Sequence, residues 1–222
     1  MTVAGLTLWP VKSMAGGVDV DEARAEASGL VGDRRRAVLL DGRPLSARKA
    51  PGLLRWTAGA DGTVTAPDGA AYAWGDPALD AALSADLGHP VTAADVPGGA
   101  ADLAASVLVT TAASTAELAQ RYGAPLEHRR WRTNVHLALD AGAFAEEGWE
   151  GRALHVGGDD GVVLRLLHPC RRCTITTWAP GGRARTPDLL RWIVTEHSGV
   201  LGINARVERP GVLRTGDAVA LV

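Results

Sequence analysis

The stretch DRRRAVLLDGRPLSAR, residues 33–48, predicts a β-hairpin. A first strand over 33–40 is followed by Asp41-Gly42 and by a second strand over 43–48. Asp-Gly accepts the positive φ angles of the tight turns that join antiparallel strands. Asp61-Gly62 and Pro67-Asp68-Gly69 repeat this signal further along the chain, so this part of the protein is expected to be rich in short antiparallel strands.

Short runs of β-branched and apolar residues continue through the rest of the chain and predict further strands. These predicted strands cover residues 1–9, 105–110, 133–139, 153–156, 162–167, 173–178, 204–208 and 218–222. Three helices are predicted from capping residues and terminal glycines. They begin at Asp76-Pro77, at the capping box Ser114-x-x-Glu117 and at Thr186-Pro187, and end at Gly88, Gly123 and Gly199. The expected fold class is mainly β with a few helices (α+β), built as barrel-like sheets.

Val96-Pro97-Gly98-Gly99-Ala100 is a loop-forming run between the first helix and the strand that follows it. It predicts a domain boundary near residue 100. Residues 1–100 and residues 101–222 would then form two domains.

Composition narrows the class of protein. Hydrophobic residues make up 46% of the 222 residues and charged residues 22%, which is typical of a folded soluble chain rather than a disordered one. The net charge of −2 provides no general field for nucleic acid, so an anion would need a local basic cluster. No apolar run reaches the roughly 20 residues of a membrane span, and the N-terminus lacks the pattern of a signal peptide. The expected location is the cytoplasm, with reduced thiols and no membrane partner.

Lys12 and Ser13 follow the first predicted strand and precede Gly16-Gly17. An ammonium and a hydroxyl next to flexible backbone are suited to binding an anion. The spacing is not that of a P-loop, and an ordinary surface turn remains the alternative.

Two further basic stretches lie beside predicted strands. Alternation along a strand would place Arg34 and Arg36 on one face and Arg35 on the other, either facing a cleft or protecting an exposed sheet edge. It would likewise place Arg132 and Asn134 on one face, where a guanidinium and an amide together suit a polar heterocycle that carries a phosphate.

Both cysteines lie in the stretch HPCRRCTITT, residues 168–177. A structural zinc site is disfavoured because the other histidines lack paired ligand spacing. A thioredoxin-like dithiol is disfavoured because residues 173–178 are predicted to be a strand rather than the start of a helix. Two readings remain open, namely one functional thiolate favoured by the intervening arginines, or two thiols packed in a core.

Five ordered motifs of the chain resemble those of the MOSC family, the molybdenum cofactor sulfurase C-terminal fold, preceded by its N-terminal β-barrel domain. The matching segments are Val11-Lys12-Ser13 in an opening similar to YPVKS, Gly32-Asp33-Arg34-Arg35 with Leu45-Ser46-Ala47-Arg48, Arg132-Thr133-Asn134, His168 to Thr177, and Pro210 to Val219. Trp9 stands where the family's opening motif has tyrosine.

The resemblance implies that residues 1–100 form an N-terminal β-barrel-like domain packed on a second β-barrel domain, the MOSC domain, over residues 101–222. It also implies a protein similar to the mitochondrial amidoxime reducing component and its bacterial relatives. Cys173 would be the ligand of molybdenum in a bound molybdenum cofactor (Mo-molybdopterin), and thus the catalytic thiolate. The cofactor-binding residues implied are Lys12, Ser13, Arg34, Arg132 and Asn134, and Cys170 would pack nearby.

The implied function is an oxidoreductase that reduces N-hydroxylated or N-oxygenated small molecules. Its electrons would come from a separate protein, such as a ferredoxin, a flavoprotein or a b-type cytochrome. The alternative is a sulfur carrier that holds a persulfide on the same cysteine for metal-sulfur cluster assembly.

Overall fold

The computed structural model describes residues 1–101, 106–139 and 142–222. Within these residues it has strands β1 to β17, helices α1 to α3 and four short 3-10 helices. The strands are Thr2–Leu8, Val18–Val20, Glu22–Glu26, Gly29–Leu30, Arg36–Leu40, Arg43–Pro44, Thr57–Ala58, Thr63–Thr65, Ala71–Ala73, Thr92–Asp95, Ser106–Thr111, Val135–Ala138, Ala153–Val156, Val162–Arg171, Val200–Arg209, Gly211–Arg214 and Val219–Leu221. The α-helices are Pro77–Leu87, Ala112–Tyr122 and Asp188–Glu196, and the 3-10 helices are Pro51–Arg55, His128–Trp131, Ala145–Gly148 and Thr174–Thr177. The predicted α+β class with dominant β-structure is confirmed.

The largest sheet of the described residues has eight strands in the order β17-β13-β14-β15-β11-β12-β1-β2. Every neighbouring pair in it is antiparallel except β11 and β12. Three smaller antiparallel sheets have the orders β10-β5-β6, β16-β3-β4 and β7-β8-β9. The first two strands of the chain thus lie in the same sheet as strands from its second half, and the domain boundary near residue 100 stays a prediction.

The hairpin predicted over residues 33–48 is confirmed, but its first strand is shorter than the sequence predicts. Strands β5 and β6 pair around Asp41 and Gly42, whose φ angles are 51° and 72°. Two consecutive positive φ angles are the signature of the turn that Asp-Gly favours. The first strand begins at Arg36 because Arg34 has a φ of 48°, a left-handed conformation that cannot continue a strand.

Helix α1 confirms its predicted caps. The Asp76 side chain accepts a hydrogen bond from the Ala78 N–H, and Gly88 ends the helix in the left-handed conformation. For α2 the predicted capping box is wrong, because the helix begins earlier and Thr111 is its N-cap. Ser114 instead donates from its hydroxyl to buried Glu146 over 2.7 Å. The third helix begins at Asp188 and ends before His197 rather than at Gly199.

Two more strand predictions need correction. Residues 173–178 form the 3-10 helix Thr174–Thr177 with extended residues on either side, not a strand. The predicted strand over 133–139 is observed as Val135–Ala138, so neither Arg132 nor Asn134 belongs to it. The prediction of a strand start at Ala105 falls outside the described residues, and β11 is described from Ser106.

The described core consists of three clusters of buried side chains. The first packs the large sheet against β3, β4 and β16. The second lies among residues 11–93 and is completed by Ile175 and Trp178 from the second half of the chain. The third joins α2 and α3 around Trp131. Ile175 and Trp178, which follow Cys173 in the chain, therefore anchor the cysteine segment to the second cluster. No described helix has the length and apolar character needed to cross a membrane.

Candidate functional site

A cleft brings together segments that are far apart in the sequence. It is lined by Lys12, Ser13 and Arg34 from the first half of the chain and by Arg132 and Cys173 from the second. Five of the six residues that the sequence singles out thus line one cleft. The sixth, Asn134, does not appear among its lining residues.

The lining of this cleft is strongly basic. Six cationic side chains line it, namely Lys12, Arg34, Arg48, Arg132, Arg171 and Arg172. None of the described lining residues is Asp or Glu. In a protein with a net charge of −2, this local concentration of guanidinium and ammonium groups favours an anionic ligand rich in oxygen acceptors.

Three of the lining residues have left-handed backbone. The φ angles of Ser13, Arg34 and Arg132 are 68°, 48° and 55°. Non-glycine residues adopt this conformation at a cost of about 1–3 kcal/mol, and such residues cluster at functional sites. The turns at these positions aim the three side chains into the cleft, which strand alternation cannot do.

The predicted sharing of a face by Arg34 and Arg36 is therefore wrong. Arg34 is two residues past Gly32 and lines the cleft, whereas Arg36 lies in β5. The Arg36 guanidinium pairs with Asp95 over 3.4 Å and covers the Trp74 ring at 5.3 Å from its centroid. Arg36 is thus engaged on the surface and is not part of the site.

Arg34 is fixed from behind by a buried carboxylate. Its Nη1 donates to Asp33 Oδ2 over 2.7 Å, and its Nη2 donates to the Arg132 carbonyl over 3.3 Å. Asp33 is 8% exposed, and its other oxygen accepts the Trp9 N–H over 2.8 Å. The buried ion pair orients the guanidinium, while its remaining N–H groups can serve a ligand.

The prediction that Asn134 binds a cofactor directly needs correction. Its side chain is fully buried and makes four hydrogen bonds within the protein. Nδ2 donates to the Thr7 carbonyl and to Asp33, and Oδ1 accepts from the Leu108 N–H and from Arg34. Asn134 therefore positions Asp33 and Arg34 instead of touching a molecule in the cleft.

Arg132 and Ser13 are also held by the surrounding backbone. Arg132 Nη1 donates to the Met14 carbonyl over 2.7 Å, and its guanidinium carbon lies 4.2 Å from the centroid of the Trp9 ring. Ser13 Oγ accepts the Ala47 N–H over 3.0 Å, which ties the first loop to the loop after β6. Contacts within the protein thus hold both side chains in position.

Both cysteines are free thiols, partly exposed, and line the cleft. Cys173 is the N-cap residue of the 3-10 helix, and its carbonyl accepts hydrogen bonds from the Thr176 N–H and hydroxyl. Cys170 Sγ accepts from Arg172 Nη1 over 3.2 Å. The reading of two thiols packed in a core is therefore wrong for this pair. In the described parts of the chain, no three His, Cys, Asp or Glu side chains gather as a protein-only metal site would require.

Sequence reasoning did not select several other polar residues of the cleft as binding residues, among them Arg48, Arg172 and Asn204. Arg48 closes the LSAR motif, which was the available signal. Arg172 was noted only as a neighbour of the thiols, but its Nη2 also donates to the Trp131 carbonyl over 2.9 Å. No short motif marks Asn204, which comes from β15.

The donor set fits the phosphate and the polar heterocycle of a pterin cofactor. Arg172 Nε and Trp131 Nε1 belong to cleft-lining side chains and are buried donors without a hydrogen-bond partner among the described residues. Buried donors without partners are rare, and a bound acceptor-rich ligand is one way to satisfy them. A cleft with basic walls and a partly exposed thiol is also compatible with a metal centre held jointly by a ligand and one cysteine.

Family models match the chain over nearly its whole length. The MOSC domain matches residues 88–220, and the MOSC N-terminal beta barrel domain matches residues 1–96. The chain belongs to the MOSC family. Members of this family are often enzymes that bind the molybdenum cofactor.

One solved structure with a TM-score above 0.5 supports the fold of this MOSC protein. The YUAD protein from Bacillus subtilis is 17% identical, with a TM-score of 0.56 over 99% of this chain and 94% of its own. YiiM from Geobacillus stearothermophilus is 21% identical, with a TM-score of 0.40 over 52% of this chain and 53% of its own. At these identities the first likeness concerns the fold alone. Among curated proteins, no sequence matches the MOSC protein significantly.

Proposed function

We propose that this MOSC protein is a molybdenum cofactor-dependent oxidoreductase that reduces N-hydroxylated or N-oxygenated small molecules. The observation that carries the proposal is the cleft in which Cys173 lies among six cationic side chains, with no described acidic residue in the lining. A pterin phosphate needs such donors from several segments, and a molybdenum held by the pterin needs one protein thiolate.

The residues have distinct roles in this proposal. Lys12, Arg34 and Arg132 bind the phosphate and pterin, and Ser13 closes the loop that carries Lys12. Cys173 supplies the thiolate to the metal. The bound cofactor supplies the two-electron chemistry that removes oxygen from nitrogen. Asp33 and Asn134 hold Arg34 so that the cation does not reorganise on binding.

In the overall reaction, an N-hydroxylated substrate takes up two electrons and two protons. The products are the reduced substrate and water. We propose that a separate ferredoxin, flavoprotein or b-type cytochrome delivers the electrons and that the reaction takes place in the cytoplasm.

The sulfur-carrier alternative uses the same cysteine without a pterin. A persulfide on Cys173 requires an accessible thiol, which the structure has. It does not require Lys12, Arg34 and Arg132 to converge on one cleft, so the basic lining favours the cofactor.

Metal content after expression in a host that makes the cofactor tests the proposal. We expect near-equimolar molybdenum and a pterin that fluoresces after oxidation in the wild-type protein. Cys173→Ala should lose the molybdenum, whereas the matched Cys170→Ala variant should keep it. Molybdenum retained in Cys173→Ala would refute the ligand, and a persulfide mass increase without any pterin would favour the carrier.

Turnover supplies the second part of the test. Benzamidoxime should be reduced to benzamidine when a reduced viologen dye supplies the electrons, and Cys173→Ala should be inactive. Protein that is fully loaded with molybdenum but does not reduce amidoximes or N-oxides would contradict the reductase function while leaving the cofactor site intact.

A further inference from the structure

A second cleft adjoins the first, which we call the cysteine cleft because Cys170 and Cys173 line it. Arg132 and Ile175 line both. Ile175 is two residues after Cys173, in the same 3-10 helix that Cys173 caps. A small molecule whose reacting end lies at Cys173 can therefore extend its remaining atoms into this second cleft.

The lining of the second cleft differs in chemistry from that of the first. It includes the apolar side chains of Trp9, Leu54, Ile175, Trp178 and Pro180. We call it the tryptophan cleft, after Trp9 and Trp178. An apolar lining of this kind favours an apolar part of a ligand over a second anion.

The arginines of the tryptophan cleft have partners within the protein. Arg129 pairs with Asp19 over 2.7 Å, and Arg130 pairs with Glu127 over 2.8 Å. Arg132 lies over the Trp9 ring, at the border with the first cleft. Because carboxylates already compensate the first two cations, the tryptophan cleft has less attraction for anions than its neighbour.

The Trp9 wall is held in place before any ligand binds. Trp9 is 4% exposed, and its Nε1 donates to the Thr133 carbonyl over 3.0 Å. Gly17 packs so closely that a Cβ added there would lie 2.7 Å from Trp9 Cη2. Gly16 has a φ of 90°, and an added Cβ would lie 2.3 Å from the Ala58 carbonyl oxygen. A preformed wall reduces the ordering cost of binding.

We propose that the tryptophan cleft binds the planar aromatic body of the substrate, so that the protein prefers aryl to alkyl N-hydroxylated compounds. This inference rests on the proposed reductase function. Because Trp9 is 4% exposed and Arg132 covers its ring, the partly buried indole of Trp178 provides the stacked or edge contact with a flat ring, and this contact adds to the gain from apolar burial. The polar end of the same substrate is then directed to the cysteine cleft through the border formed by Arg132 and Ile175.

Binding of neutral, non-reducible analogues tests the site apart from turnover. Benzamide and acetamide are titrated by ligand-observed NMR against protein purified from the cofactor-producing host. Trp178→Ala removes one wall, and Thr57→Trp fills the cleft from an exposed position on β7. Trp74→Ala and Thr57→Val are the matched controls, because Trp74 lies over Arg36 away from the cleft.

We expect benzamide to bind wild-type protein at least several-fold more tightly than acetamide. Trp178→Ala and Thr57→Trp should each weaken benzamide binding about tenfold, which corresponds to about 1.4 kcal/mol, with acetamide unchanged. Benzamide affinity unchanged in a folded Thr57→Trp protein would overturn the proposal, as would equal kcat/KM values for benzamidoxime and acetamidoxime. If the protein binds benzamide more tightly than acetamide but reduces no amidoxime, the aromatic site is supported and the reductase function is contradicted.

Discussion

The buried amide of Asn134 donates a hydrogen bond to Asp33 Oδ1 over 2.9 Å and joins segments that are 101 residues apart. The same carboxylate holds Arg34 through its other oxygen. The orientation of one cation in the cleft thus depends on a residue that does not line the cleft.

Replacement of Asn134 by alanine should destabilise the fold. The change leaves Asp33, the Leu108 N–H and the Thr7 carbonyl each without one hydrogen bond in a buried place. Since each unsatisfied buried group costs about 1–3 kcal/mol, we expect a loss of about 2–4 kcal/mol in the free energy of unfolding. Urea denaturation measures this loss, and a change below about 0.5 kcal/mol would contradict the positioning role.

Arg34→Ala should strongly reduce cofactor retention, because the side chain lines the cleft from an ion-paired position. We expect the pterin content of the purified protein to fall to about a tenth or less, in line with the 1.4 kcal/mol per tenfold loss that one charge-assisted contact supplies. Fluorescence of the oxidised pterin measures it.

Arg36→Ala is the matched control for that prediction. Arg36 has the same side chain two residues later, but it pairs with Asp95 and covers Trp74. Its pterin content should equal that of the wild type. Equal losses in the two variants would mean that general charge, not the oriented Arg34, retains the cofactor.

Gly17→Ala should strain the wall of the tryptophan cleft, because the new methyl group would lie 2.7 Å from Trp9 Cη2. Forced repacking of this kind costs about 1–3 kcal/mol, which thermal denaturation detects. Gly5→Ala is the control, since its added Cβ has no described neighbour within 4 Å. A Gly17→Ala protein as stable as Gly5→Ala would show that Trp9 is free to move.

We predict that the titration of the Glu147 carboxyl makes the stability of the protein depend on pH. Burial raises the pKa of its carboxyl above the ordinary 4.5, although the hydrogen bond from His197 opposes this shift. The folded protein therefore binds this proton more tightly than the unfolded chain. Its stabilising contribution is complete below pH 4.5 and decreases as the pH rises through the higher folded pKa.

Glu147→Gln removes this titration. The difference in unfolding free energy between wild type and Glu147→Gln should shift against the wild type as the pH rises above 4.5, as measured by urea denaturation at several pH values. A difference that stays constant over that range would contradict the raised pKa.

The sequence predicted the hairpin at Asp41-Gly42 and the caps of α1 because these depend on local backbone preferences. It also predicted residues that line the cleft, but it did not predict the backbone conformation that brings them there. Arg34 and Arg132 were placed by strand alternation, but both reach the cleft from left-handed turns outside the strands. Alternation applies only inside a strand, and strand ends are the least certain part of such a prediction.

The errors at Asn134 and at residues 173–178 have a tertiary cause. The sequence Arg132-Thr133-Asn134 is the same whether the asparagine faces a ligand or a buried carboxylate, and only the fold brings Asp33 to it. The run Thr-Ile-Thr-Thr favours a strand by propensity. In the folded protein Ile175 packs into the second core cluster, and Thr176 and Thr177 bond back to the carbonyls of Cys173 and Thr174, which bends the segment into a 3-10 helix.

The left-handed backbone at Ser13, Arg34 and Arg132 also bears on how such proteins diverge. Glycine and asparagine adopt this conformation more easily than serine or arginine, so a lineage released from its ligand would gain folding stability by changing to them. A distant relative with glycine or asparagine at all three positions would then be expected to keep the fold but to have lost the ligand and the activity.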